Sequence, residues 1–306
     1  MRDVAIICGP TAAGKSAIAL ALAARTGATL LSADSRQVYR RFDIGTAKPS
    51  AADVAAVPHR GLDLVEPTQR YSAAAWAAAA LGWLAEPGIR RDGAIIVGGT
   101  GFYLHALTSP LFEAPPLDPQ QRAAVLAALE AEATATLRER CQVIDPARAH
   151  LGRTQLLRAI EVFELTGRPL SEWQRERARP SQVRAHYLLV DPGDVLRDRI
   201  AARVAAMLDA GWLTEVESLA ADVPDAAPAW NACGYALLRT ALRGGMPLQQ
   251  AVERTIIDTR QYAKRQRTWF RHQLPAERVT LLDPGAPDAI GRAMLWLESV
   301  SRPEHP

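Results

Sequence analysis

The chain is expected to fold as an α/β protein: a P-loop-containing parallel sheet flanked by helices, with a helical insertion over residues 111–180. Three observations carry this expectation. The stretch GPTAAGKS (9–16) matches the phosphate-binding pattern G-x-x-x-x-G-K-[ST] at every fixed position and follows the apolar run VAIIC (4–8). Further short apolar runs, bounded by turn or cap residues, alternate with helical patterns, as in a parallel sheet covered on both faces. The interval from Pro110 to Pro180 breaks that alternation, opening with SPLFEAPPLDP and continuing as helical sequence without a good strand.

In chain order, VAIIC (4–8) reads as a buried strand and Lys15–Arg25 as the helix after the glycine loop. ATLLS (28–32) is a second strand, ending at Asp34-Ser35. SAAAWAAAALGWLA (Ser72–Ala85) is the most apolar long segment; it is too short and too alanine-rich to span a bilayer and reads as a packed helix. AIIVG (94–98) is a strand leading into Gly98-Gly99-Thr100-Gly101. Beyond the insertion come the strand HYLLV (186–190), helical sequence from Asp194, a long helix over LQQAVERTIIDTRQYAKRQRTWFRHQ, and a last strand in VTLLD (279–283). The core thus comprises residues 1–110 and 181–306.

Composition narrows the function classes. The 306 residues are 48% hydrophobic and 23% charged, as in an ordinary soluble protein, and the start has no apolar h-region with a cleavage site. A cytoplasmic location is expected. Cys8, Cys141 and Cys233 are isolated, which argues against a disulfide framework or a zinc site. The net charge is only +3, yet of 36 basic residues just three are lysines: Lys15, Lys48 and Lys264. If arginine replaces lysine wherever it can serve, the remaining lysines mark places that need a compact ammonium.

A glycine loop between strand and helix points backbone N–H groups at a polyphosphate, and the helix dipole adds to the attraction. Lys15 neutralises phosphate charge there, and Ser16 is placed to ligate magnesium. A nucleotide hydrolase or kinase also needs an acidic residue on a neighbouring strand. AIIVGG supplies none, and the carboxylate comes from Asp34, which reads as a metal-shell residue, a general base, or a helix cap with Ser35. Thr100 sits at the carboxyl end of its strand, where ligands bind in open α/β folds. In the long helix, Arg260, Lys264, Arg267 and Arg271 fall on one face, and residues 254–273 carry six Arg or Lys against Asp258. That stripe is the best phosphate-backbone footprint in the chain. Tyr262, Trp269 and Phe270 are expected to pack inward.

Taken together, GPTAAGKS, SADSRQVYRRFDIGTAKP (32–49), PHRGLDLVEP (58–67), IIVGGTGFYL (95–104), RAIEVFELTGRPLSEWQ (158–174) and TRQYAKRQRTWFR (259–271) closely resemble tRNA dimethylallyltransferases, also called tRNA isopentenyltransferases. The resemblance spans nearly the whole chain, and DSRQVY and DIGTAKP are far more specific than the glycine loop. It implies transfer of a prenyl group from dimethylallyl diphosphate to N6 of the adenosine 3′-adjacent to the anticodon, with Mg²⁺ present and diphosphate released. It also implies that the insertion binds RNA. Gly9, Pro10, Thr11, Ala12, Ala13, Gly14, Lys15 and Ser16 then form the diphosphate loop, with Ser16 at the magnesium. Asp34 accepts the N6 proton, Thr100 meets the bridging oxygen, and Arg203 clamps the diphosphate.

The target base must be flipped out of the anticodon loop to reach such a cleft. Asp34, Ser35, Arg36 and Gln37 resemble the base-contacting segment, and Thr100, Arg122, Gln155, Arg158, Arg260, Lys264 and Arg267 are the remaining expected tRNA contacts. Two departures stand out. In LGRTQLLRAIEV, Leu151-Gly152 replace a usual Asn-Asp and Gln155 stands where arginine is expected, so Arg153 or Arg158 is left to make that contact. Arg41 takes a usual glycine position, with an effect expected only on a turn. A monomer acting on the tRNA anticodon stem-loop without a membrane is the leading expectation. The alternatives are an adenylate isopentenyltransferase using free AMP, a P-loop kinase or ATPase, and an inactive RNA-binding scaffold.

Overall fold

The computed structural model describes residues 1–109, 111–112, 117–176 and 178–301. The chain runs β1 (Arg2–Cys8), α1 (Lys15–Thr26), β2 (Thr29–Ser32), α2 (Ala51–Ala56), β3 (His59–Arg60), α3 (Ala73–Ala85), α4 (Pro87–Asp92), β4 (Ala94–Gly98) and α5 (Gly101–Thr108). It continues as β5 (Leu111–Phe112), α6 (Pro119–Glu130), α7 (Thr134–Ile144), α8 (Arg153–Thr166), α9 (Leu170–Glu176) and β6 (Ala178–Arg179). The last part is β7 (Val183–Val190), α10 (Leu196–Asp209), α11 (Trp212–Asp222), α12 (Tyr235–Leu242), α13 (Leu248–Gln273), β8 (Val279–Leu282) and α14 (Ala289–Ser301).

All five expected strands are present, in one parallel sheet of order β3-β2-β4-β1-β7-β8. β1, β2 and β4 read as continuous apolar runs because both faces are buried, whereas the edge strand β8 leaves Thr280 and Leu281 exposed. On one face Ala5, Ile7, Leu30, Ile95, Leu188 and Val190 pack against Ile18 and Leu22 of α1 and Trp296 and Leu297 of α14. Above the end of β2, Trp76 of α3 donates its indole N–H to Ser32 O at 2.9 Å and stacks on Tyr103 of α5. The sixth strand, β3, escaped the sequence reading because two residues cannot display a period.

Two compact units separate: residues 1–108 with 182–306, and residues 109–181. The second closes on its own core of Leu129, Leu137, Cys141, Leu156, Ile160 and Leu170, drawn from α6 to α9. It is not wholly helical, because β5 and β6 pair antiparallel. No helix among the described residues is long and apolar enough to cross a membrane.

The segment Phe42–Lys48 is held by unusual means. The Glu215 carboxylate on α11 accepts N–H bonds from Asp43 (3.0 Å) and Ile44 (2.7 Å), and the Tyr235 hydroxyl at 2.6 Å. A Cβ on Gly45 would fall 2.1 Å from the Trp212 indole nitrogen, so only glycine lets this turn lie on that ring. Lys48, its side chain 6% exposed, points its ammonium at Tyr39 O and the carboxylates of Asp43 and Asp63. Three acceptors around one small cation are what an ammonium satisfies and a planar guanidinium does not. Arg41 adopts φ +68°, a left-handed conformation that favours glycine, and its guanidinium grips Asp222 through two bonds. The departure at Arg41 therefore brings a contact as well as a turn.

Glu215→Ala would strand three amides, those of Asp43, Ile44 and Gly45, and a phenol that this carboxylate now satisfies. A loss of about 3 kcal/mol is expected from the typical cost of unmade hydrogen bonds to a charged group, read as a lower urea midpoint, with Glu215→Gln recovering part of it.

Candidate functional site

Parallel strands bring the loops after β1, β2 and β4 to the same edge of the sheet. The first is the glycine loop. Gly9 has φ +146° and a Cβ there would meet Val190 O at 2.2 Å, while Ala12 sits at φ +62°. This twisted backbone leaves the amides of Ala12, Gly14, Lys15 and Ser16 without a bond to any described residue, and they form an anion-binding concavity. Thr11 is the exception, because its N–H donates to Gln266 Oε1 at 2.8 Å.

Lys15 donates to Pro10 O at 2.7 Å. Burial and the neighbouring Arg203 pull its ammonium down to about 8, against the opposing pull of Asp34. Arg203, on α10, is likewise lowered by burial and supported by Asp34. It makes no ion pair or hydrogen bond with a described residue. Two desolvated cations thus face one carboxylate beside a row of free amides.

These groups line a cavity of about 440 Å³. Ser16, Asp34 and Arg36 border it, as do Gly98 and Gly99 at the end of β4. Its apolar wall includes Ile200, Val204 and Met207 of α10 and Trp212 of α11. Asp34 caps no helix: residues 35–38 are turns, and Asp34 Oδ1 accepts the Arg36 N–H at 2.8 Å, leaving Oδ2 without a bond to a described residue. Thr100 Oγ1 accepts the Ser35 N–H at 2.9 Å, which joins the β4 loop to the β2 loop.

Other expected residues have different occupations. Gln37 spends both amide hydrogens on Thr46 O and Ala47 O and accepts from Ser32 Oγ, so it braces the turn rather than presenting a free edge to a base. Arg267 is held by Asp191 (Nε to Oδ2, 2.8 Å) and by Gly193 O, which corrects its place in a free basic stripe. Arg260 reaches Arg197 O at 3.4 Å, and Lys264 is exposed with no partner among the described residues. Lys264 is thus the one lysine with no ammonium-specific contact. In the second unit, Arg122 and Arg158 share the carboxylate of Glu161, which is 1% exposed, while Gln155 is half-buried on the same helix as Arg158.

Three residues were missed. Glu161 gave no signal beyond its place between apolar neighbours. Tyr262, expected to pack inward, borders the cavity beside Asp34 and Thr100, with Arg265 over its ring at 5.9 Å. Gln266, 7% exposed, links the glycine loop to Gly99 O. Its only sequence trace is indirect, in the glycines it lies against.

Known proteins share this architecture. The IPP transferase family model matches residues 37–273, and the Isopentenyl transferase model matches residues 2–63. The chain belongs to the IPP transferase family. It is 44% identical over 295 residues to the tRNA dimethylallyltransferase of Rhodospirillum centenum, covering 93% of this chain and 92% of that one. The tRNA isopentenylpyrophosphate transferase structure from Staphylococcus epidermidis matches with a TM-score of 0.68 at 28% identity, over 98% of both chains. A eukaryotic dimethylallyltransferase acting on tRNA matches with a TM-score of 0.77 at 25% identity, covering 92% of this chain and 74% of that one.

The lowered Lys15 sets a pH dependence. An anion beside the ammonium restores its proton, so the bound-state value lies above the free-state value of about 8. Lys15 thus contributes fully to anion binding below that pH and progressively less above it. Titrating inorganic diphosphate should show its affinity falling, relative to a Lys15→Arg variant, by up to about tenfold per pH unit above 8.

Proposed function

We propose that this chain transfers the dimethylallyl group of dimethylallyl diphosphate to N6 of the adenosine 3′-adjacent to the anticodon of tRNA, forming N6-isopentenyladenosine and releasing diphosphate. The observation that carries it is the pairing of Lys15 and Arg203, underneutralised beside free amides, with an apolar wall in the same cavity. That combination suits a diphosphate with a short hydrocarbon tail. Membership of the family supports the reaction class.

In this reading the amides of Gly14, Lys15 and Ser16 hold the diphosphate while Lys15 and Arg203 balance its charge. As N6 of the flipped adenine bonds to the first carbon of the prenyl chain, the bond to the bridging oxygen breaks and its electron pair leaves with the diphosphate. Asp34 takes the N6 proton through its unengaged oxygen, and the Thr100 hydroxyl donates toward the bridging oxygen. Stabilising the leaving charge and removing the proton together compensate for the weak nucleophilicity of an exocyclic amine.

Mg²⁺ fits this site. Ser16 offers one exposed side chain at the start of α1, beside the unbonded amides of the glycine loop. Mg²⁺ commonly binds with few protein ligands, sharing substrate phosphates and keeping water. Its contribution when bound is further neutralisation of the leaving diphosphate. Arg36, Ser35 and Tyr262 border the adenine, and Arg260 and Lys264 meet the phosphate backbone. Arg122 and Arg158, held by Glu161, form a second cationic surface in the inserted unit, with Gln155 nearby in sequence. The chain acts as a monomer in the cytoplasm.

The deciding assay incubates the purified protein with Mg²⁺, dimethylallyl diphosphate and an anticodon stem-loop, then looks for prenylated adenosine by mass. Product from AMP but not from the stem-loop would move the assignment to an adenylate prenyltransferase. ATP hydrolysis without either product would move it to a nucleotide hydrolase.

Asp34→Asn should lower kcat by about a hundredfold or more, the usual contribution of a general base, while stem-loop affinity stays within about twofold. A parallel loss of binding would make Asp34 a recognition residue. Replacing Arg260 and Lys264 with alanine should reduce the salt dependence of tRNA binding by about one slope unit for each phosphate no longer engaged. Arg267→Ala, by contrast, should lower the thermal midpoint, because Asp191 is left without its partner.

A further inference from the structure

We propose that Gln266 of α13 is a positioning residue for the transfer step, setting the distance between the glycine loop and the Thr100 loop. The inference rests on the prenyl-transfer reading and extends it to a residue outside the reacting groups. The Gln266 amide is 7% exposed and engaged at both ends: Oε1 accepts the Thr11 N–H and Nε2 donates to Gly99 O, each at 2.8 Å. Those partners fix its orientation, since an N–H needs the oxygen and a carbonyl needs the nitrogen.

The two loops have separate tasks. The glycine loop carries the amides that hold the diphosphate, and the other carries Thr100, next in sequence to Gly99. The bond that breaks joins the first prenyl carbon to the bridging oxygen, and that oxygen stays on the phosphate gripped by one loop while the other loop addresses it. A shift of a fraction of an ångström between them misaligns the donor against that oxygen. Glycine at position 99 belongs to the same device. A Cβ there would fall 2.4 Å from Gln266 Nε2, and the amide cannot retreat without breaking one of its two bonds.

The test uses three variants of the full-length protein. Gln266→Leu removes both bonds. Gln266→Glu keeps the acceptor for Thr11 and removes the donor to Gly99. Gly99→Ala displaces the amide without touching α13. Each is assayed for single-turnover rate, inorganic diphosphate affinity, stem-loop affinity and thermal midpoint. Gln266→Leu and Gly99→Ala are expected to lose at least about tenfold in rate and severalfold in diphosphate affinity, with stem-loop affinity unchanged and Gln266→Glu falling between them and wild type.

Adding Gln266→Leu to Thr100→Ala should cost little more rate than Thr100→Ala alone, because both disable the same donor. Multiplicative losses in that pair, or stem-loop affinity falling in step with rate and thermal midpoint, would make Gln266 a structural residue and overturn the proposal. Should wild-type protein form no prenylated product, the functional reading fails. The diphosphate affinities still decide then whether Gln266 shapes the loop.

Discussion

The site is organised by an electrostatic imbalance. Lys15 and Arg203 are both partly buried, and the one carboxylate that eases each of them is that of Asp34. Desolvating a cation without full compensation is costly, and the fold bears that cost where it gains most from an incoming anion. The free amides of Gly14, Lys15 and Ser16 point the same way. On the proposed reading, a diphosphate would supply the negative charge that Asp34 alone does not.

Holding such a site requires walls that do not collapse into it, and much of that rigidity comes from close backbone packing. Gly45 lies on Trp212, Gly98 on the backbone of Ala33, and Gly101 on the Trp269 ring, each closer than any Cβ would allow. Glu215 and Lys48 both brace the turn between β2 and α2, one as an acceptor of its amides and the other through the carboxylates of Asp43 and Asp63. Glycines that look like a phosphate-binding signature thus serve packing as well. In GGTG they admit Gln266 and Trp269 of α13 next to the strand end.

This explains what the sequence could reveal. β1, β2, β4 and β7 and the helices at Lys15 and Ser72 were legible because each buries an apolar pattern, β8 through its apolar run although most of it is exposed, and the helix at Leu248 through a long stretch without Gly or Pro. β3, β5 and β6 were not, since two-residue strands are defined by partners distant in sequence. In the site, Lys15 and Ser16 stood out through a motif whose spacing is set by backbone geometry, whereas Asp34, Thr100 and Arg203 took their roles from family resemblance. Gln266, Gln37 and Arg267 were misjudged or missed for one reason. A polar side chain on a helix or turn looks the same in sequence whether it faces water or closes a buried bond, and only the tertiary partner decides. Arg267 was placed correctly on its helix face, but Asp191 occupies it.

Helix α13 is where these constraints meet. From Arg260 to Gln266 it rises only about 9 Å at 1.5 Å per residue. Within that span it carries Arg260 and exposed Lys264, then Arg265 above Tyr262, then the amide joining the two donor-holding loops. A helix this short between contacts is stiff, so the exposed cations and the bond that joins the glycine loop to Gly99 share one rigid frame. Long, flexible arms would also supply positive charge. They would not register the acceptor base against the donor carbon, and the reaction demands that registration because its nucleophile is weak. On the proposed reading, recognition and donor alignment would sit on successive turns of one helix, which provides it directly.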